Sequence, residues 1–293
     1  MFPRPFDYFS PSTLSEALEL IKSGDAETRI LAGGQSLLPA MKARNLSPKK
    51  LVDLGGIREL NFISKDEHGL KIGATTTTAT IENDLEIACL VPILQETAGE
   101  IADPLVRNLG TVGGNLCHAD PVNDFPPAML AVNATFTLAS AQKTRSIVAD
   151  EFFVDRFKTA AKSNEILTQI QIPLRDAKVG NAYRKIRKGS GGFTIAGVAA
   201  QIEVDDENVI SGCRIALSGV GSKALRALRS EAALLGKTPE AAVLGEAAWL
   251  AVEASEPNSD ITASAEYRRK VLAVLVKDAV EVAYKRAVMG NYE

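Results

Sequence analysis

The sequence predicts an α+β protein in two parts, and three observations carry that reading. Up to Pro173, short β-branched runs are interspersed irregularly with capped helical stretches. From Asn181 the composition shifts to two long β-type runs followed by helices. The glycine-rich stretch Gly189-Ser190-Gly191-Gly192 fails G-x-G-x-x-G, because Thr194 stands where the third glycine belongs. That failure argues against a doubly wound dinucleotide fold.

Thr13-Leu14-Ser15-Glu16 reads as a capping box, with Leu14, Ala17, Leu18 and Ile21 at helical spacing and Gly24 closing the helix. Thr28–Leu31 is a strand running into adjacent glycines, and no helical pattern is read directly after Gln35 and Ser36. Leu51–Leu54 and Leu70–Gly73 are short strands, the latter preceding Thr75–Thr78. Leu85–Ala102 is helical, broken at Pro92 and ended before Asp103-Pro104. Pro126–Val132 is helical, and Thr135–Ala139, Ser146–Val148 and the alternating Ile166–Ile172 are strands. Ile195–Val204 and Val209–Leu217 form a hairpin about the Asp205–Asn208 turn. Pro239–Glu253 and Ser264–Met289 are helices, the second with Val271, Leu275, Ala279 and Val282 on one stripe. The chain divides near Arg175–Gly180, giving expected parts of 1–177 and 178–293.

The 293 residues bear a formal net charge of −3, which offers no electrostatic case for nucleic acid or an anionic membrane. No apolar run approaches the roughly 20 residues of a membrane span, and Met1–Tyr8 lacks a secretory signal core. Three scattered cysteines, Cys89, Cys117 and Cys213, fit a reducing compartment, and the cytoplasm is the expected location. They also cannot supply four thiolates to an iron–sulfur cluster. His68 and His118 are the only histidines and share no metal-ligand spacing, so no metal site is expected in this chain. Gly236-Lys237-Thr238 imitates the end of a P-loop, but Glu231 occupies the position of its first glycine. No G-x-S-x-G elbow is present.

Two glycine segments remain. Ala32-Gly33-Gly34-Gln35-Ser36 follows a strand, and Thr111-Val112-Gly113-Gly114-Asn115 precedes Asp120 and Asp124. Glycines let backbone N–H groups approach a ligand closely and tolerate φ > 0, so such a turn can wrap a diphosphate. Either pair alone reads equally well as a plain turn. Together they suggest one elongated anionic cofactor gripped from two sides.

With both motifs in this order, the chain resembles the FAD-carrying medium subunits of the molybdenum hydroxylases. That group includes carbon monoxide dehydrogenase, xanthine dehydrogenase and aldehyde dehydrogenases of the same build. The resemblance covers almost the whole chain, from F-D-Y-F-S-P-S-T-L-S-E-A-L near the start to Ala265–Arg269. It implies a vanillyl-alcohol-oxidase-type (PCMH-type) FAD fold of two subdomains, about 1–55 and 56–177, plus a C-terminal antiparallel sheet with helices at 178–293. It further implies a heterotrimer, commonly paired into a dimer of trimers. In it a small subunit with two [2Fe–2S] clusters relays electrons from a large molybdopterin subunit, and FAD in this chain passes them to a soluble acceptor.

On that resemblance, the flavin contacts are Leu31, Ala32, Gly33, Gly34, Gln35, Ser36, Leu37, Leu38, Ile101, Thr111, Gly113, Gly114, Asn115, Asp124, Leu167 and Lys185. The chemistry agrees with it. Gly33–Ser36 N–H groups and the Ser36 hydroxyl can donate to the pyrophosphate, with Thr111 and the Gly113–Gly114 backbone opposite. A carboxylate is repelled by phosphate, so Asp124 should accept from ribityl or ribose hydroxyls. Lys185 could favour an anionic reduced flavin, or be an ordinary surface lysine. The leucines, with Ile101, could contact the rings or belong to the core. No residue is expected to act as an acid or base on an organic substrate. Gln35, where some relatives carry histidine, excludes a covalent flavin link at that position. Ser190-Gly191-Gly192-Phe193 is smaller than the relatives' counterpart, leaving the acceptor's approach open. Two other readings stay open. A self-contained flavin oxidoreductase would need a base, for which His118 is the sole histidine candidate. A scaffold without FAD would not need its glycine pairs.

Overall fold

The described residues, 2–174, 178–189 and 191–289 of a computed structural model, include three larger sheets and one short hairpin. Of the positions singled out above, Met1, Arg175–Ala177 and Ser190 lie outside the described residues.

The first part begins with β1 (Asp7–Phe9), α1 (Leu14–Ile21), β2 (Thr28–Leu31), α2 (Leu37–Lys42) and β3 (Lys50–Asp53). β3 lies between β1 and β2, parallel to both. The predicted capping box forms: Thr13 Oγ1 accepts the Glu16 N–H at 3.2 Å, while the Glu16 carboxylate accepts the Ser12 N–H at 2.8 Å. Ala17, Leu18 and Ile21 pack against Val52 and Leu54. Helix α2 departs from expectation, because a helix does follow the first glycine pair. Pro39 disguised it. In the first helical turn a proline forfeits only an N–H that has no helical partner anyway.

Next come β4 (Ile63–Asp66), β5 (Gly69–Gly73) and six helices: α3 (Thr78–Asn83), α4 (Leu85–Leu90), α5 (Pro92–Glu100), α6 (Pro104–Leu109), α7 (Val112–His118) and α8 (Phe125–Ala131). They are followed by β6 (Thr135–Ala139), β7 (Thr144–Val148), α9 (Ala149–Phe152), the hairpin β8 (Phe153–Asp155) with β9 (Lys158–Thr159), and β10 (Ile166–Ile172). β4-β5-β10-β6-β7 is an antiparallel sheet. Leu70, Ile72, Phe136, Leu138 and Ile170 of this sheet join the helical residues Ile93, Leu94, Leu116, Phe125 and Met129 in one core. The helical break at Pro92 is as expected, with Pro92 opening α5.

The second glycine pair also differs from the loop expected of it. Thr111 caps α7, so Gly113 and Gly114 lie in its first turn. Glycine inside a helix costs up to about 1 kcal/mol relative to alanine, which is why the segment reads as a loop. Packing explains its presence: a Cβ on Gly113 would lie 2.6 Å from the Ala74 carbonyl oxygen and 2.7 Å from Ala74 Cβ.

The last part holds β11 (Lys178–Arg187), β12 (Thr194–Val204), β13 (Ile210–Ser218), β14 (Leu225–Arg226), α10 (Leu228–Leu234), α11 (Ala241–Glu253) and α12 (Ala265–Met289). Its strands are antiparallel in sequence order. One sheet face, with Val198, Ile202, Ile215 and Leu217, is covered by Leu272, Val276, Ala279 and Ala283 of α12. Of the predicted stripe, Leu275 and Ala279 are buried while Val271 and Val282 sit at its margin. The other face sends Tyr183, Ala199 and Ala216 into the core of the first part. β12 is therefore covered on both sides. Polar ties reinforce the junction: Ile93 N–H donates to Asn181 Oδ1 at 2.8 Å, Arg214 Nε to the Leu130 carbonyl at 2.8 Å, and Arg286 pairs with Glu96.

Candidate cofactor site

The two glycine segments meet. A Cβ on Gly33 would stand 1.9 Å from the Leu109 carbonyl oxygen and 2.8 Å from Gly110 Cα, so only glycine permits this approach. Gly34 has φ +72°, the left-handed region glycine enters freely. A Cβ built on Gly114 would lie 3.9 Å from Ala32 Cβ. A third segment, absent from the sequence-derived site, joins them. Thr78 N–H donates to the Gly110 carbonyl at 2.8 Å, Val112 N–H donates to the Thr76 carbonyl at 3.0 Å, and Thr77 bridges Thr111.

The two glycine pairs offer different chemistry. Among the described residues, nothing in the chain accepts the N–H groups of Gly33, Gly34, Gln35 or Ser36. Four consecutive donors without internal partners form a concavity suited to an anion. Around Gly113 and Gly114 the donors are already engaged: Gly113 N–H donates to the Ala74 carbonyl at 2.9 Å, and Gly114 N–H to Thr111 Oγ1 at 3.1 Å. What this pair offers is the absence of side chains. Beside it, Asn115 Oδ1 is buried without a hydrogen-bond partner, an acceptor awaiting a donor.

Asp124 and Lys185, distant in sequence, are in contact. Lys185 Nζ donates to Asp124 Oδ2 at 2.9 Å and to the Glu100 carbonyl at 2.8 Å. The lysine side chain is 1% exposed, which rules out the surface-lysine alternative. Asp124 Oδ1 accepts from Tyr183 Oη and Thr194 Oγ1, each at 2.6 Å. Burial, then the Asp124 charge, push the Tyr183 phenol well above its ordinary value, so it remains a proton donor.

The apolar residues fall into two places. Leu31, with Leu37 and Leu38 beside it, shares a small core with Met41 and Leu51. Ile101 and Leu167 belong to the large core. Arg107 Nη1 holds the Ile101 carbonyl at 3.1 Å. Leu167 precedes a register shift in β10, and the carbonyl of its neighbour Thr168 accepts the Ala74 N–H at 3.0 Å, the Ala74 carbonyl in turn accepting from Gly113. Tyr183, Thr194 and Thr76–Thr78 were missed from the sequence. Tyr183 had a usable signal: two residues before Lys185 on a strand, it shares the lysine's face. His118 lies away at the end of α7, its ring centroid 5.1 Å from that of Phe157. Among the described residues no group of three or more His, Cys, Asp or Glu side chains is placed to hold a metal. No described helix is long and apolar enough to cross a membrane.

Against known proteins, the family model described as the FAD binding domain in molybdopterin dehydrogenase matches residues 4–175. This chain belongs to that family. A second model, the CO dehydrogenase flavoprotein C-terminal domain, matches residues 181–283 of this FAD-binding medium subunit. It is 36% identical to the carbon monoxide dehydrogenase medium chain of Hydrogenophaga pseudoflava, over 98% of this chain and 99% of that one. Identity to the glyceraldehyde dehydrogenase medium chain of Sulfolobus acidocaldarius is also 36%, over 95% and 98% of the two chains. Among solved structures, quinoline 2-oxidoreductase from Pseudomonas putida 86 superposes with a TM-score of 0.92 at 32% identity, covering 98% and 99%. The medium subunit is thus an oxidoreductase component that binds FAD, in the PCMH-type fold expected of it.

Proposed function

We propose that this chain is the FAD-carrying electron-transfer subunit of a heterotrimeric molybdenum hydroxylase. Electrons reach it from [2Fe–2S] clusters on a small subunit, after oxidation of the organic substrate at a molybdopterin centre on a large one. They leave to an external acceptor. Two such trimers pair, and the complex works in the cytoplasm. FAD, when bound, supplies the exchange between one-electron and two-electron carriers. The FAD-binding part is taken to run to residue 177, as subdomains of about 1–55 and 56–177, with 178–293 as the C-terminal domain.

The observation that carries the reading is the Gly33–Ser36 donor run, held against Leu109–Gly110 with no acceptor of its own. Those N–H groups bind the pyrophosphate. Ala32 and Gly114 leave room alongside, and the unpartnered Asn115 Oδ1 takes a hydroxyl. Asp124 has three hydrogen bonds on a carboxylate with about four acceptor sites, and Lys185 has used two of its three donors. One acceptor and one donor therefore remain for the cofactor. His118, the sole histidine candidate for a base, has its ring centroid 5.1 Å from that of Phe157 and its Nε2 3.9 Å from Asp120 Oδ2. Relatives equally similar to this chain bear names with different substrates, so the substrate is chosen by another subunit.

Purification of the chain with its co-expressed neighbours tests this. Yellow protein accompanied by iron- and molybdenum-bearing partners is the expected result. Yellow protein that turns over a substrate alone would favour the self-contained oxidoreductase. Protein that stays colourless after soaking with FAD would overturn both.

A further inference from the structure

Asp124 occupies the N-cap position of α8 yet makes no capping hydrogen bond to that helix. A capping aspartate is worth about 1 kcal/mol to a helix. Here the carboxylate turns to the C-terminal sheet and is 6% exposed. Its partners come from two strands. Tyr183 and Lys185 share one face of β11, and Thr194 opens β12. Both hydroxyls reach the same oxygen, Oδ1, at 2.6 Å, within the range of charge-assisted bonds. That leaves Oδ2 alone to face the ammonium.

Gly197 makes this arrangement possible. In the sheet register it stands between Lys185 and Ser218. A Cβ there would lie 2.8 Å from Tyr183 Oη and 2.6 Å from Ser218 Oγ. The missing side chain opens a path by which the Tyr183 phenol crosses β12 to Asp124. Behind it the ring packs in the cluster that contains Ala199 and Ala216.

We propose that Tyr183 and Thr194 are positioning residues: their hydroxyls fix Asp124 so that it holds the Lys185 ammonium ready for bound FAD. The inference rests on the reading that Asp124 and Lys185 serve the cofactor. The C-terminal sheet thereby sets the affinity, and the oxidised-to-reduced preference, of a flavin bound mainly by the other part of the chain.

The test uses the full-length protein stripped of FAD and titrated back by flavin fluorescence. Losing one hydrogen bond to a charged group should raise Kd about tenfold in Tyr183→Phe and in Thr194→Val. Thr194→Ser keeps the hydroxyl and should stay within about twofold of the parent. Gly197→Ala should reproduce the Tyr183→Phe effect by displacing the phenol. A lowered flavin midpoint potential in Tyr183→Phe marks selective loss of the reduced cofactor, which loosened packing alone does not produce. Parental Kd and potential in Tyr183→Phe and Thr194→Val, with Asp124→Asn weakened, would overturn the positioning role alone. Weaker binding in Tyr183→Phe at an unchanged potential, with a lowered Tm, would also overturn it, in favour of a packing role. Parental binding in Asp124→Asn would remove the underlying site.

Discussion

Gly33→Ala is the sharpest perturbation of the proposed pyrophosphate cradle. The added Cβ would start 1.9 Å from the Leu109 carbonyl oxygen, 2.7 Å from its carbon and 2.8 Å from Gly110 Cα. All three obstacles are backbone atoms, so no rotamer change relieves them. The glycine segments must part by roughly 1 Å, and overpacking of this kind typically costs about 1–3 kcal/mol. The same displacement takes a hydrogen bond of about 2.9 Å past the ~3.5 Å at which it ceases to count as one. Two charge-assisted bonds lost, at about 1.5–3 kcal/mol each, predict a rise in the FAD Kd of at least ~100-fold. Fluorescence titration of stripped protein measures the Kd, and thermal unfolding of the same preparation measures the strain. Gly33→Ala protein that binds FAD within about threefold of the parent, at an unchanged Tm, would show that this close approach is unnecessary.

Two further outcomes are expected. Gly245 lies inside α11 with nothing within 4 Å of its would-be Cβ, so Gly245→Ala should stabilise the chain by about 0.5–1 kcal/mol. Denaturant unfolding checks this, and the FAD Kd should not move. Burial holds the His118 imidazole below its ordinary value of 6.5, against the opposing pull of Asp120. The unfolded chain then takes up a proton that the folded chain refuses, so stability falls as pH drops through about 6.5. His118→Gln should flatten Tm against pH in that window, and an equal slope in both proteins would discount the residue.

Legibility from sequence followed how locally each feature is determined. Thr28–Leu31, Thr135–Ala139 and Ile166–Ile172 appear with the bounds expected of them, since alternating or β-branched runs with hard stops settle a strand on their own. α7 escaped because its two glycines weaken the helical pattern, while the packing of Gly113 on Ala74 is invisible in sequence. β11 escaped because its charged residues are answered elsewhere: Arg184 pairs with Asp278 of α12, and Lys185 with Asp124. The glycine segments were legible as motifs, but not their different uses, because whether an N–H is free depends on what packs beside it. Tyr183 and Thr194 lie 59 and 70 residues from Asp124, beyond any local pattern.

The two parts that composition separates are not independent in energy. Tyr183, Ala199, Ala216 and Ala224 of the later part belong to the same hydrophobic cluster as Phe125, Met129 and Ile170 of the earlier one. At the edges of that contact the charges are paired across the junction: Arg214 and Arg226 with Asp150, and Arg286 with Glu96. Their side chains stay 18–35% exposed, so each tie adds only about 0–1 kcal/mol to closure, and the shared apolar cluster supplies most of the coupling. On the proposed reading FAD touches both sides, at Gly33–Ser36 and at Lys185. A ligand that binds only the closed arrangement stabilises it by RT ln(1 + [L]/Kd), about 2.7 kcal/mol at a hundred times Kd. Cofactor affinity and the docking of the C-terminal sheet are then one linked equilibrium, and a mutation that loosens either must show in the other.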